Sequence, residues 1–223
     1  QNKNNLELIN PSREECDLEN FNQTINFFKI NNPDIVVHCA GKVFGIGGNI
    51  SDQYNAWRKN TLINMNVIEA SILSKVDHLV SLGTGCVYPG EIVEGGYSES
   101  QLWDGNVDKS EYGYAHSKRH MLAGLESMEK TYNIGFTYVV SCNLFGPNDN
   151  FNEQTGHVIP SLISKFDKLA RGETQEVVLW GNGSAIRDFM SSLEMARALE
   201  FFINEGPQGI INVCSGVKRS IKE

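Results

Sequence analysis

Short apolar segments alternate along this chain with longer segments whose apolar residues recur every three to four positions. The short segments are rich in β-branched residues and predict strands at residues 6–9, 34–41, 78–85, 136–146, 176–181 and 209–216. The longer segments predict helices at 18–31, 52–74, 112–132, 157–171 and 191–204. Near-continuous apolar strands joined by helical crossovers are typical of a parallel sheet with helices on both faces. The pattern therefore predicts an α/β fold with a doubly wound parallel sheet.

Candidate chemistry follows one of these strands, because ligands of such sheets bind at the carboxyl ends of the strands. The strand at 78–85 ends in Thr84, and Tyr114 and Lys118 lie four residues apart in the predicted helix 112–132. Residues at this spacing share a helix face, so we expect the Lys118 ammonium to lie near the Tyr114 phenol and to favour the phenolate. Thr84 and Tyr114 could then hold a carbonyl oxygen between two donors while a hydride reaches its carbon. Tyr112 has no lysine at the same spacing.

The amino-acid composition indicates a globular protein and argues against several kinds of partner. The chain has 223 residues, 40% of them hydrophobic, which is enough for a substantial core. A net charge of −8 with scattered basic residues argues against nucleic acid or an anionic membrane as the partner. Five cysteines at irregular spacings indicate neither a disulfide framework nor a zinc site, and no apolar run approaches the roughly 18 residues of a membrane span. We therefore expect a cytoplasmic globular protein that binds no metal.

Six further segments carry a resemblance to a known family: AGKVFGIGGN, GCVYP, NLFGPNDNF, HVIPSLI, VVLWGNGSAIRDF and INVCSGV. With the Thr84, Tyr114 and Lys118 set, they resemble the extended short-chain dehydrogenase/reductase family, and within it the GDP-L-fucose synthases, although a serine usually occupies the Thr84 position there. The resemblance covers nearly the whole chain. It implies a Rossmann-like nicotinamide-binding domain over 1–150 and, over 151–223, a smaller C-terminal substrate domain with returning sheet elements. A glycine-rich turn should precede residues 6–9 and the family continues past Glu223, so we expect the sequence to be cut at both ends.

The resemblance also implies roles for individual residues. Thr84, Tyr114 and Lys118 would reduce a ketone, while Cys86 and His157 would exchange protons at the carbons beside it, which requires a Cys86 thiol activated toward thiolate. Alone, Cys86 would be read as a small core residue and His157 as the start of a helix. The implied cofactor contacts are Arg13, Asp17, Leu18, Leu82, Gly83, Lys118, Ser141, Cys142, Asn143, Leu144 and His157. The implied substrate contacts are Asn143, Lys165, Trp180 and Arg187.

Three basic residues and one aromatic residue indicate which ligands the protein binds. A guanidinium at Arg13 can clamp the 2′-phosphate of NADP(H), although Arg13 could equally be a solvated loop charge. Lys165 and Arg187 would offset a diphosphate, and Trp180 could stack on a base or sugar or be a core aromatic. The glycines at 45–48 follow the strand at 34–41 and predict a substrate-side loop.

Three functions fit this pattern. The leading one is NADPH-dependent epimerisation and C4-keto reduction of a GDP-4-keto-6-deoxy sugar. The second is C4 reduction alone, on a GDP-linked deoxyheptose or a related nucleotide sugar, and the third is a non-catalytic nucleotide-binding sensor. A homodimer is expected because helices 52–74 and 112–132 carry more apolar positions than one sheet face can cover, and the family pairs these helices.

Overall fold

The computed structural model describes residues 6–43, 50–91, 93, 95–179 and 181–223. Its helices are α1 (Phe21–Asn31), α2 (Gln53–Ser74), α3 (Tyr112–Tyr132), α4 (Val158–Ala170) and α5 (Ser192–Glu205). Its strands are β1 (Ile35–His38), β2 (His78–Leu82), β3 (Gly135–Ser141), β4 (Asn143–Phe145), β5 (Ile186–Ser191), β6 (Gly209–Val213) and β7 (Lys218–Ser220). All five predicted helices are present, and each begins and ends within three residues of its predicted bounds.

Four strands form a parallel sheet in the order β1-β2-β3-β6. Val36 pairs with Leu79, Val80 pairs with Thr137, and Tyr138 pairs with Ile210. A second sheet has the order β4-β5-β7, in which β4 runs parallel and β7 antiparallel to β5. The predicted α/β fold with a doubly wound parallel sheet is confirmed.

The core lies on both faces of the four-stranded sheet. Leu79 packs with residues of α1, α2 and α3, including Leu122 and Leu125, whereas the adjacent Val80 packs with Met195 and Phe202 of α5. Neighbouring residues of a strand point to opposite faces, so this division follows from β2 being central and covered on both sides. No helix in the described part of the chain is long and apolar enough to cross a bilayer.

Two predicted strands are wrong. Residues 6–9 belong to no sheet, and Leu8 is 88% exposed. Residues 176–179 also form no strand, and Val178 is exposed. Both segments have the β-branched composition of a strand, but neither has a neighbouring strand with which to exchange backbone hydrogen bonds among the described residues.

The other differences concern the second sheet. The predicted strand at 136–146 divides at Cys142 into β3 and β4, which belong to different sheets. The sequence pattern did not predict β5 and β7. β7 has three residues, all polar, and in β5 the apolar residues of IRDFMS do not alternate regularly with the polar ones, so neither strand has the pattern on which the prediction depended.

Candidate active site

Strands β2 and β3 and helix α3 meet around Gly83, the residue that follows β2. The Gly83 N–H donates to the carbonyl of Val139 at 2.7 Å, and the Ser141 hydroxyl donates to the carbonyl of Gly83 at 3.2 Å. A Cβ atom at Gly83 would lie 2.6 Å from the ring of Tyr138, whose hydroxyl donates to the carbonyl of Lys118 at 3.1 Å. Only glycine permits this close approach, which ties β2 and β3 to α3.

Helix α3 places the two tyrosines of its first turn, Tyr112 and Tyr114, in different surroundings. Tyr114 and Lys118 are buried, whereas Tyr112 is exposed and its ring lies 4.3 Å from that of His116. Positions 112 and 114 are separated by about 200° around a helix of 3.6 residues per turn. The predicted face shared by Tyr114 and Lys118 is therefore the face that packs against the sheet.

The Lys118 ammonium donates to the carbonyl oxygen of Leu82 at 2.9 Å. Burial lowers the pKa of Lys118 to about 8, and the Cys39 thiol partly opposes that shift. Burial also raises the pKa of Tyr114 above its ordinary value, and the charges of Cys86 and Glu111 add to the rise. The expectation that a neighbouring cation favours the Tyr114 phenolate is wrong, because desolvation of the phenol is the largest influence and Lys118 is not among the groups that shift its pKa.

Thr84 and Cys86 contact each other directly after β2. The Thr84 hydroxyl donates to the Cys86 sulfur at 3.3 Å, and the Cys86 N–H donates to the Thr84 oxygen at 3.4 Å. Burial is the main cause that raises the pKa of Cys86 to about 12, and the charge of Glu111 contributes to this rise. The expectation of a Cys86 thiol activated toward thiolate is wrong, since desolvation favours the protonated form.

His157 lies on a different element from Thr84 and Cys86, at the start of α4. It is the N-cap of α4, its side chain is exposed, and it makes no side-chain capping bond. Among the described residues, the side-chain hydrogen bonds of Thr84, Cys86 and Lys118 do not involve His157. Its acid/base role stays a prediction.

Arg13 is paired with two carboxylates. Its guanidinium lies 3.4 Å from Asp17 and 2.9 Å from Glu19, and these charges raise the pKa of Arg13. Next to them, the carbonyl of Leu18 accepts a hydrogen bond from the Asn66 amide at 2.8 Å. A phosphate that bound Arg13 would therefore compete with Asp17 and Glu19 for the guanidinium.

The segment between β3 and β4 surrounds Asp188. The Asn143 amide donates to the Asp188 carbonyl at 3.1 Å. Burial and, to a smaller extent, the Asp188 carboxylate together raise the pKa of the Cys142 thiol to about 12. That carboxylate also accepts the N–H of Ser215 at 3.0 Å. Leu144 packs against the core beneath α5. These contacts hold the connection after β3 against β5 and the loop after β6.

The proposed substrate residues lie on separate elements. Lys165 lies on α4 and its ammonium donates to the carbonyl of Val178 at 2.8 Å. Arg187 lies on β5, is exposed, and donates to the carbonyl of Ile186 at 2.8 Å. Trp180 and the glycines at 45–48 lie outside the described residues.

Comparison with known proteins identifies the family. The family model described as "NAD dependent epimerase/dehydratase family" matches residues 1–214. The chain belongs to the NAD dependent epimerase/dehydratase family.

Individual members of the epimerase/dehydratase family resemble the chain over most of its length. A GDP-L-fucose synthase from Azorhizobium caulinodans is 33% identical over 193 residues, which are 86% of this chain and 62% of that protein. A GDP-mannoheptose C4 reductase from Campylobacter jejuni with NADP bound superposes with a TM-score of 0.82 at 26% identity, covering 96% of this chain and 72% of that one. A GDP-L-fucose synthetase from Naegleria fowleri bound to NADP gives 0.84 at 27% identity, covering 96% and 66%. The chain thus spans 62% of the length of the first of these relatives.

Sequence reasoning missed several polar residues that support this family fold around the site. Asn60 of α2 holds the backbone of Lys42 through two hydrogen bonds of 2.7 and 2.9 Å. Asn64 accepts from His38 at 2.9 Å and donates to the carbonyl of Ser117 at 3.2 Å. Asn60 and Asn64 are four residues apart on the apolar face of α2, and this spacing was the signal that could have identified them.

Arg119 was also missed, because no pattern distinguishes it from its neighbours. Its guanidinium is buried and donates to the carbonyls of Val87, Gly105 and Leu102, each at 2.7 Å. These bonds attach the loop that follows Cys86 to α3. Arg119 therefore fixes Cys86 and Tyr114 relative to each other.

Proposed function

We propose that this protein uses NADPH to reduce the 4-keto group of a GDP-linked 6-deoxy sugar, and that Cys86 and His157 epimerise the carbons beside the ketone. The observation that carries the reductive half is the bond from Lys118 to Leu82, which holds the buried Tyr114 and Lys118 face of α3 against the end of β2, two residues before Thr84. The GDP-sugar class rests on the names of the relatives in this family.

The roles of the side chains follow from their protonation states. The raised pKa of Tyr114 keeps its phenol protonated near neutral pH, so it can pass a proton to the ketone oxygen. Thr84 donates a second hydrogen bond to that oxygen once its hydroxyl turns away from the Cys86 sulfur. Lys118 remains charged below about pH 8 and offsets the negative charge that develops on the oxygen.

Two cations of this chain fit a phosphorylated dinucleotide. The Arg13 side chain is 67% exposed and would bind the 2′-phosphate. Lys118 of α3, whose ammonium contacts the end of β2, would bind the nicotinamide ribose. The cofactor supplies the hydride when it is bound. The rest of the cofactor site would be formed by Leu82, Gly83 and the segment Ser141 to Leu144.

A C4 reductase without epimerisation is the second candidate. The observation that favours it is the raised pKa of Cys86, about 12, because a protonated thiol cannot remove a proton from carbon. A GDP-linked deoxyheptose or a related nucleotide sugar would then be the substrate.

A homodimer is the proposed assembly. A groove of about 620 Å³ runs along α2 and α3 and is lined by exposed aromatic residues, namely Tyr54, Trp57, Trp103 and Tyr112. An isologous pair of these helices from a second copy would cover the aromatic residues.

One experiment tests the activity and separates the two candidates. The protein is incubated with NADPH and GDP-4-keto-6-deoxy-mannose, or the corresponding heptose, in deuterated water, and NADPH absorbance and product NMR are followed. Oxidation of NADPH with deuterium at C3 and C5 supports epimerisation followed by reduction. Oxidation without this deuterium supports the reductase, and the absence of oxidation with every GDP-4-keto sugar overturns both.

A further inference from the structure

Two cysteines directly follow neighbouring strands of the four-stranded sheet. Cys142 comes after β3 and Cys214 after β6, and these strands run parallel with Ser141 opposite Val213. The Cys142 N–H continues the pairing, since it donates to the carbonyl of Val213 at 3.2 Å. Side chains alternate between the faces of a strand, so the residues that follow a paired position lie together on the other face. Cys142 and Cys214 therefore share one face at the carboxyl edge of the sheet.

Asp188 of β5 holds the two segments together just beyond the cysteines. Its backbone carbonyl accepts the Asn143 amide at 3.1 Å. Its carboxylate accepts the Ser215 N–H at 3.0 Å and the Ser215 hydroxyl at 2.8 Å. Each cysteine thus lies between a residue of the β3–β6 pairing and a residue bonded to Asp188. The two segments cannot diverge at Cys142 and Cys214.

The two thiols are spaced for a disulfide and differ in accessibility. Neighbouring strands lie about 4.8 Å apart, which is within the roughly 4.4 to 6.8 Å that separate the α-carbons of a disulfide. Both cysteines are free, Cys214 is exposed and Cys142 is half-buried. Burial is the main cause of the raised pKa of Cys142, and the nearby Cys214 thiol contributes to it. An oxidant from solution therefore meets Cys214 first and has Cys142 beside it.

We propose that Cys142 and Cys214 are a redox-sensitive pair that hydrogen peroxide converts to a disulfide, and that this bond lowers the affinity for NADPH. The Cys214 sulfur loses its proton and attacks one peroxide oxygen, which breaks the O–O bond, leaves a sulfenic acid on Cys214 and releases one water. The Cys142 sulfur then attacks the Cys214 sulfur, loses its own proton, and displaces the hydroxyl as a second water. Two thiols and one peroxide thus give one disulfide and two waters.

The disulfide would act on the segment that follows β3. A sulfur–sulfur bond of about 2.05 Å would draw Cys142 toward Cys214. The segment Ser141 to Leu144 would move with it, and this segment would form part of the cofactor site. The effect on NADPH therefore rests on the proposed function, whereas formation of the disulfide does not.

The first test detects the disulfide without cofactor or substrate. The protein is treated with hydrogen peroxide, digested without reduction and analysed by mass spectrometry. We expect the peptides of Cys142 and Cys214 to be joined with the loss of two hydrogen atoms, and to separate after treatment with dithiothreitol.

Two variants make this test specific. Cys214→Ser should abolish the joined peptide, whereas Cys39→Ser removes another exposed thiol, at the end of β1, and should retain it. Absence of the joined peptide from the peroxide-treated wild type, including its replacement by a sulfinic acid at Cys214, overturns the inference.

The second test measures NADPH binding by fluorescence titration before and after peroxide treatment. The dissociation constant of the wild type should rise by at least about tenfold, which corresponds to about one hydrogen bond, and return after treatment with dithiothreitol. Cys214→Ser should keep its affinity through the same treatment, which separates the disulfide from oxidation of Cys86. An unchanged constant in the disulfide-linked protein overturns the link to cofactor binding. If the reduced wild type binds no NADPH, the proposed function fails, while the joined peptide still decides whether Cys142 and Cys214 form the pair.

Discussion

The Lys118 ammonium donates to the carbonyl oxygen of Leu82 at 2.9 Å. A buried cation is thus attached to a neutral backbone group at the end of β2, and the observed contact does not depend on a carboxylate partner. Such an arrangement stabilises the position of the charge but does not repay its desolvation in full. The candidate site therefore contains a residue that costs folding stability.

The first prediction follows from this cost. The folded-state pKa of Lys118, about 8, lies below its ordinary value of 10.5, so the folded protein holds fewer protons than the unfolded chain between these pH values. The penalty is complete below pH 8 and is relieved as the pH rises toward 10.5. Lys118→Met should raise the free energy of unfolding at pH 7 by about 1 to 3 kcal/mol and abolish ketone reduction.

Urea denaturation at pH 7 and at pH 10 measures this difference, which should shrink at the higher pH. Lys130→Met, at an exposed position of the same helix, should change the free energy by less than about 0.5 kcal/mol. Destabilisation by Lys118→Met at both pH values would contradict the prediction.

The second prediction concerns Tyr112 and Tyr114, the two tyrosines in the first turn of α3. Tyr114→Phe should lower the rate of NADPH oxidation with the keto sugar by at least about a hundredfold, because a positioned general acid contributes roughly 10² to 10⁴. Tyr112→Phe changes an exposed ring and should leave the rate nearly unchanged. Steady-state kinetics of the two variants measure both effects, and the reverse order of effects would remove Tyr114 from the mechanism.

The third prediction concerns Arg13 and the carboxylates of Asp17 and Glu19 with which it pairs. Arg13→Ala should raise the Michaelis constant for NADPH by at least about tenfold and scarcely alter that for NADH, because a hydrogen bond between charged groups contributes about 1.5 to 3 kcal/mol. Glu19→Gln removes a competitor that lies 2.9 Å from the guanidinium, so it should lower the constant for NADPH. Equal use of both cofactors by the wild type would argue against the role of Arg13.

The aromatic groove along α2 and α3 provides the fourth prediction. Light scattering at micromolar concentration should give the mass of a dimer for the wild type and of a monomer for Trp57→Glu, because Trp57 lines the groove and is 41% exposed. Ile30→Glu places the same charge at an exposed position of α1, and this variant should remain dimeric. A monomeric wild type would refute this assembly.

The sequence predicted α3 well because its apolar period, its Tyr-x-x-x-Lys pair and its length are local properties. It could not predict the partner of Lys118, since Leu82 lies 36 residues away along the chain and meets the ammonium only in the folded structure. It also misjudged the protonation of Tyr114 and Cys86, because spacing reveals the neighbouring charges but not the extent of desolvation. Residues 6–9 failed as a strand for a similar reason, since a strand requires a partner as well as a composition.

The three carbonyl bonds of Arg119 have a consequence for how the molecule opens. The described residues of the loop from Val87 to Gly105 form no long helix or strand, and loops of this kind ordinarily fluctuate independently of the core. Here it is fastened at Val87, Leu102 and Gly105 to one buried side chain in α3. Releasing the loop would leave a guanidinium without partners inside the protein, so loop and helix form one cooperative unit of hydrogen exchange.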